Sequence, residues 1–199
     1  MLRNAGKVPT LFWFDRFDER VGLLPVAGEL VHTEELNGQD TIEFTTPEVV
    51  QKGDRILWFD CGEWREHVVV RTDQTAPLMT EVFAESSLCE MLDDFIEEEH
   101  LVSRTALQAL GYALAPTRWE VECCDVEAVA GCVLYHVNAL WALRKVAEVW
   151  GGELTPKIHV MNQRVAARTI RFEREHGRWR GLRFSYTRTG ATRAATVAS

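Results

Sequence analysis

No run in this chain is apolar for the roughly 20 residues that a membrane-crossing helix needs. The longest mostly apolar stretch, Ala128 to Leu143, is broken by His136 and Asn138. The first ten residues, MLRNAGKVPT, carry no apolar core of a secretory signal. No Gly-x-Gly-x-x-Gly and no phosphate-binding loop ending in Gly-Lys-Ser/Thr occurs, which argues against nucleotide chemistry. No Gly-x-Ser-x-Gly elbow and no local cysteine-protease word is present. Basic residues are in deficit, 22 Lys+Arg against 30 Asp+Glu, for a formal charge of −8. A dedicated DNA-binding module usually shows the opposite balance.

What is present suffices for a folded core. Of the 199 residues, 46% are hydrophobic, and seven Trp and nine Phe supply large apolar side chains. Five cysteines are an odd set without a secretory context and read as reduced thiols of a protein made in the cytoplasm.

Up to about residue 72 the pattern is β. Leu11-Phe12-Trp13-Phe14 is a short apolar run, and Leu30-Val31 begins another. Asn37-Gly38 is a hairpin signal, because both residues tolerate positive φ. Thr41 to Thr45 alternates, Lys52-Gly53-Asp54 turns, Arg55 to Phe59 is a buried strand, and Trp64 to Thr72 alternates again. Strands at this spacing predict a small barrel or sandwich.

From about 78 to 151 the pattern turns helical. Ser87-Leu88-Cys89-Glu90 has capping-box spacing and precedes Leu88, Met91, Leu92, Phe95 and Ile96 at helical intervals. Ser103 caps a second helix that Pro116 ends, and Arg118 to Glu122 alternates as a strand. The third helix, about Val137 to Trp150, presents Val137, Leu140, Val146, Ala147 and Trp150 on one side, and Gly151-Gly152 stops it. Strands return at Leu154 to Met161 and Arg168 to Arg174. His176-Gly177 turns the latter into a hairpin with Trp179 to Tyr186. The small, polar residues Thr187 to Ser199 read as a truncated end that continues in a longer protein. The expected fold class is α+β: a β-barrel-like domain over 1–77, then a smaller α+β domain over 78–199 with about three helices, followed by a β-hairpin.

Few residues suggest chemistry. Cys123, Cys124 and Cys132 with His136 have only part of a zinc spacing, so buried thiols are the simpler reading and no metal is expected. Asp93-Asp94 and Glu97-Glu98-Glu99 fit a solvated helix face better than paired catalytic carboxylates. The six histidines sit in no catalytic word. No catalytic residue and no cofactor is expected. Charge is segregated, however. Beyond Gly151 lie Lys157 and nine Arg against Glu153, Glu173 and Glu175, a net of +7, which leaves −15 on the first 151 residues. Arg171, Arg178, Arg180 and Arg183, with Trp179 and Phe184, would suit single-stranded nucleic acid. Complementary patches within or between subunits explain the same segregation, and on that reading the four arginines are candidate subunit-interface residues.

The order of segments resembles the N-terminal region of phage and prophage tail-tip hub proteins, a family also labelled tail spike, minor structural or tail-endopeptidase proteins. The likeness runs from about residue 30 onward. It is carried by Glu34-Glu35-Leu36-Asn37-Gly38 before the strand at Thr41, by Val50-Gln51-Lys52-Gly53-Asp54, and by Leu107 to Leu114 leading into Thr117-Arg118-Trp119-Glu120-Val121. The most telling segment is the helix running into Trp150-Gly151-Gly152-Glu153-Leu154, followed by Arg168 to Arg174 and Gly181-Leu182-Arg183-Phe184-Ser185-Tyr186. Ala115-Pro116 in place of a glycine before Thr117, and Cys123-Cys124, depart from that pattern. The resemblance implies a baseplate-hub-like structural protein of the virion tail, made in the bacterial cytoplasm. It implies a homo-oligomer, a trimer, whose ring closes the tail tube and carries downstream fibre or enzyme domains. Implied partners are other tail proteins (distal tail, tape measure, fibre), with no membrane and no specific nucleic acid. The alternative is a tail-associated peptidoglycan or peptide hydrolase.

Overall fold

The computed structural model describes residues 9–35, 39–60, 62–76 and 78–174, together with the strands 182–186 and 192–196. Seven strands build the first sheet: β1 (Leu11–Phe14), β2 (Arg20–Leu24), β3 (Val31–Glu34), β4 (Asp40–Thr46), β5 (Arg55–Asp60), β6 (Glu63–Ala76) and β7 (Met79–Ser86). Their order is β2-β1-β5-β6-β7-β4-β3, every pair antiparallel. The expected turn signals act as read where they are described. Gly53 takes φ +92° and Gly62 φ +91°, conformations that cost glycine little. Asn37-Gly38 lies outside the described residues, but β3 and β4 pair across it, Glu34 opposite Asp40.

The α+β class holds. The barrel does not close among the described residues, since β2 and β3 end the sheet and do not pair with each other. The sheet nevertheless curls. From β3 to β5 is four strand spacings, about 19 Å if the sheet were flat. Yet the His32 ring on β3 lies 5.5 Å from the Trp58 ring on β5, and Glu34 on β3 meets Arg65 on β6 at 2.9 Å. The curl encloses a core of Leu11, Leu24, Ile42, Phe44, Ile56, Trp58, Val69 and Val82. Side-chain contacts thus do the closing that backbone hydrogen bonds leave undone.

The second stretch departs from its helical reading in two places. Residues 79–86, read as helical, form β7, which fills the gap between β6 and β4. The capping box at Ser87 does not form. Ser87–Leu92 is a 3-10 turn without a side-chain cap, because the Glu90 carboxylate is taken by Arg55 and Arg118. Phe95 and Ile96 then open a strand, β8 (Phe95–Thr105), with the acidic Glu97, Glu98 and Glu99 along it. That strand pairs antiparallel with β10 (Val129–Asn138) as a two-stranded ribbon. The Cβ of any side chain at Gly131 would stand 2.5 Å from the Leu101 carbonyl oxygen, so the bulge in this ribbon requires glycine there.

The helices follow local rules. α1 (Ala106–Leu114) is capped by Thr105, two residues later than expected, in a full capping box with Gln108. α2 (Ala139–Trp150) is capped by Asn138, whose Oδ1 accepts from the Trp141 N–H at 2.8 Å. Gly151 closes it at φ +72°. Gly152 is glycine for a different reason: an added Cβ would stand 2.6 Å from the Phe172 ring. The third sheet has order β11-β12-β9, from β11 (Glu153–Met161), β12 (Arg164–Glu173) and β9 (Trp119–Cys124). The turn Asn162-Gln163 takes positive φ at both positions, as a two-residue hairpin requires. The expected hairpin between 168–174 and 179–186 is not made. β12 already has β11 and β9 on its two sides, and β13 (Leu182–Tyr186) pairs instead with β14 (Thr192–Thr196).

A single apolar cluster joins these parts. It takes Leu110 and Leu114 from α1, Leu140, Leu143, Val146 and Trp150 from α2, and Ile170 and Phe172 from β12. Phe14 and Leu57 enter it from the first sheet. The expected α2 face is the buried one, with Leu140 8% and Trp150 3% exposed, while Val137 falls on β10. Leu140→Ala should therefore cost about 2–5 kcal/mol in denaturant unfolding, and little change would show that this face is not core. Gly152→Ala should also destabilise the fold, because the Phe172 ring must move; a neutral result in the same assay would contradict that contact.

Candidate functional site

Three features stand out where the first sheet meets the rest of the molecule. The first is a buried cluster of six charges. Arg168 on β12 donates through Nε and Nη2 to both Glu66 oxygens, at 2.8 and 2.6 Å. Its Nη2 also reaches Asp18 Oδ1. Arg55 on β5 places Nε 2.7 Å from Asp18 and Nη2 2.7 Å from Glu90. Its Nε contact is an ion pair outside hydrogen-bond geometry. Arg118 completes the set by bridging Asp18 and Glu90. Three guanidiniums face three carboxylates, so the cluster is neutral overall. Arg55, Glu66 and Arg168 are almost wholly buried.

Asp18 owes its position to the β1–β2 turn, where it adopts φ +67°, a conformation aspartate tolerates better than most residues. The same turn docks on β12, the Asp18 carbonyl accepting from the Val165 N–H at 3.3 Å. Burial alone would raise the Asp18 carboxyl. The Arg168 hydrogen bond and the charges of Arg168, Arg55 and Arg118 outweigh burial and hold it below the usual carboxylate range. Glu90 is lowered in the same way, burial being outweighed by Arg55 and Arg118.

The second feature is a histidine–aspartate–histidine group. His32 Nε2 lies 2.8 Å and His67 Nε2 2.9 Å from the same oxygen, Asp40 Oδ1. Both rings therefore carry a proton on Nε2 and donate it to the carboxylate. His67 is fully buried, stacked on Trp58 at 4.6 Å, and Trp58 also meets the His32 ring edge-on. Burial pushes the His67 pKa down despite the Asp40 charge, and the two imidazoles hold Asp40 well below the usual range although burial opposes them. The three residues come from β3, β4 and β6, brought together by the curl. Nothing in local spacing signals this.

The third is a cleft of about 710 Å³ that Asp40 also lines, with Trp64, Arg65, Glu85, Leu88, Cys89, Leu140, Leu143, Leu154 and Pro156 among its walls. Cys89 is no ready nucleophile there: burial, then the charges of Glu85 and Glu90, push its thiol up to about 12.

The residues singled out from sequence stand apart from these features. Arg171 on β12 is half-exposed, donates from Nε to Cys123 Sγ at 3.3 Å, and pairs with Glu173 at 3.2 Å. Arg178 and Arg180 lie outside the described residues. Arg183 sits on β13. Cys123, Cys124, Cys132 and His136 do not gather; among the described residues, the group with metal-ligand geometry is His32, Asp40 and His67. Glu97, Glu98 and Glu99 lie along a strand, not a helix.

Glu66→Gln should destabilise the fold by about 3–5 kcal/mol, because it leaves a buried guanidinium short of its counter-charge. Breaking the exposed Arg71–Asp73 pair by Arg71→Ala should cost under about 1 kcal/mol. Equal, small losses in urea unfolding would contradict the buried network. The pH dependence has one sign. Asp18 and Glu90 are lowered in the fold, so they add stability above about pH 4, their unfolded range, and lose it as pH falls through their folded values. The urea midpoint should drop on acidification below about pH 4; a flat midpoint down to pH 3 would contradict the assignment.

No curated protein matches the chain in sequence. Residues 93–167 match the family model of the prophage endopeptidase tail domain. The fold is similar to that of the prophage tail protein gp18 from Listeria monocytogenes EGD-e, with TM-score 0.58 and 14% identity over 82% of this chain and 50% of that one. It is also similar to the tail protein from Neisseria meningitidis MC58, with TM-score 0.52 and 11% identity over 80% of this chain and 50% of that one. At these identities the likeness is one of fold, and the chain spans about half the length of both structures. The matched residues begin just after the 3-10 turn and run through β8, α1, β9, β10, α2 and β11 into β12, and they include the helix running into Trp150-Gly151-Gly152-Glu153-Leu154. The chain thus shares the fold of prophage tail proteins, and its residues 93–167 match a prophage tail domain.

Proposed function

We propose that this chain is a structural segment of the tail tip, in the hub that closes the tail tube, and that its copies assemble into a trimeric ring. The observation that carries the reading is the match of residues 93–167 to a prophage tail domain. Within those residues lies a two-stranded ribbon, β8–β10, whose outer edges find no further strand among the described residues. Its exposed positions include Phe95, Val102, Val133 and Tyr135, apolar surface that a subunit contact would cover. Strand edges and segregated charge suit head-to-tail pairing that closes by rotation. In this reading Arg171, Arg178, Arg180 and Arg183 belong to the basic side of the subunit boundary. The net negative charge of the chain suits a tube mouth, because like charge repels DNA phosphate. The chain is scaffold, and fibre or enzyme segments would be carried beyond it.

The description of the matching family includes the word endopeptidase, which favours a second reading, a hydrolase of the tail. Incubation with peptidoglycan and casein, with and without chelator, separates the two, and cleavage by this chain would displace the scaffold reading.

Light scattering behind a sizing column, over a wide concentration range, tests assembly. The reading predicts three times the 22.7 kDa chain mass. It also predicts a lower mass for Arg178→Glu with Arg180→Glu. A monomer at every concentration would contradict assembly through this segment, and an unchanged oligomer in the double variant would remove those arginines from the interface.

A further inference from the structure

We propose that His32, Asp40 and His67 form a binding site for a divalent transition-metal cation of the zinc(II) class. Two imidazole nitrogens and one carboxylate oxygen are the ligand chemistry such cations prefer, whereas calcium and magnesium favour all-oxygen sets. The three donor atoms lie within 4.8 Å of one another. They come from three strands of one sheet, so their convergence is set by the backbone and not by mobile loops.

The present arrangement is a protonated form of the same site. Each Nε2–H now points at Asp40 Oδ1, at 2.8 and 2.9 Å. An ion would replace these two protons. A neutral ring would then carry its one proton on Nδ1, and a ring protonated on both nitrogens would lose the Nε2 proton to solvent. His67 Nδ1 has no hydrogen-bond partner. No donor therefore locks that nitrogen as an acceptor. Bonds of ~2.0–2.1 Å in a tetrahedral site place donors ~3.3 Å apart. The two nitrogen–oxygen separations must open by ~0.5 Å to reach that spacing.

The surroundings fit. Trp58 packs on both rings, stacked on one and edge-on to the other. Asp40 lines the 710 Å³ cleft and retains 19% exposure, with His32 at 26%, which gives the ion and a water ligand a route. Arg65, whose charge acts on Asp40 and His67, is paired with Glu34 at 2.9 Å and with Asp60 at 3.7 Å. Bound there, the ion would tie β3 and β4 to β6. It would clamp the curl of the sheet at the point where strand pairing leaves it open. This inference is independent of the tail-tip reading.

The test uses the whole chain without a histidine tag, titrated with cobalt(II) and then zinc(II). The proposal predicts one equivalent of cobalt(II) with the visible absorption of a four-coordinate site, displaced by zinc(II). It also predicts a melting temperature raised by ~5–10 °C at zinc concentrations ~100-fold above Kd. His32→Ala, at a half-buried position, should keep the fold and lose at least ~100-fold in cobalt affinity. His100→Ala, at an exposed histidine on β8, should bind as the parent does. Absence of the cobalt spectrum in the folded parent would overturn the proposal. Equal binding by His32→Ala and the parent would also overturn it, because the ion would then sit elsewhere.

Discussion

Six buried or half-buried charges decide how this molecule is put together. Asp18, Arg55, Glu66, Glu90, Arg118 and Arg168 come from a turn, two strands of the first sheet, the 3-10 turn, the bend before β9 and the middle of β12. A cluster of this kind adds little net stability over apolar side chains of the same volume, since desolvation consumes most of the Coulomb gain. What it adds is discrimination. Hydrophobic contact between the first sheet and the helices tolerates sliding; six mutually paired charges do not. A shift of β12 by one residue would turn Arg168 to the other face of its strand and leave Glu66 buried without a partner. The apolar cluster through Phe14, Leu57 and Phe172 holds the parts together, and the charges fix where they are held.

The curl of the first sheet and the cleft stand beside that docking. With β5 and β6 fixed against β12, the β4–β3 end bends back over them until His32 touches Trp58 and Glu34 reaches Arg65. Asp40 then sits at once under two imidazoles and on the cleft wall. The opposite arm, the β8–β10 ribbon, is left with apolar and acidic residues facing outward. One end of the molecule is organised inward around polar groups, and the other presents surface.

Much of this was legible in the sequence, and what was not has physical causes. The turns at Gly53 and Gly62, the end of α2 at Gly151-Gly152 and the strands of β11 and β12 depend on local preferences and could be read directly. The segment after Ser87 could not. Leu88, Met91, Phe95 and Ile96 have helical spacing, but Glu90 is drawn to Arg55 and Arg118, residues 35 and 28 positions away, and the chain leaves the turn as a strand. Tertiary charge pairing overrode a local capping signal there. The apolar run Ala128 to Leu143 concealed a boundary, with Asn138 ending β10 and capping α2. The barrel reading had five of the seven strands, without β2 and β7, and its closure is not seen among the described residues, because strand count does not reveal which edges pair. The histidine–aspartate group was invisible, since His67 lies 27 residues from Asp40 and the curl alone unites them. The family likeness was legible because it rests on the order of segments, two of which, Leu107 to Val121 and the helix running into Trp150-Gly151-Gly152-Glu153-Leu154, fall within residues 93–167.

If the buried charges fix the docking of the first sheet on β12, the two should open together. Native-state hydrogen exchange in low urea measures this at single amides. The account predicts one common opening free energy for Ile56 and Val68 in the first sheet and Ile170 in β12. Opening of Ile170 at a distinctly lower free energy, with Ile56 and Val68 still protected, would contradict it.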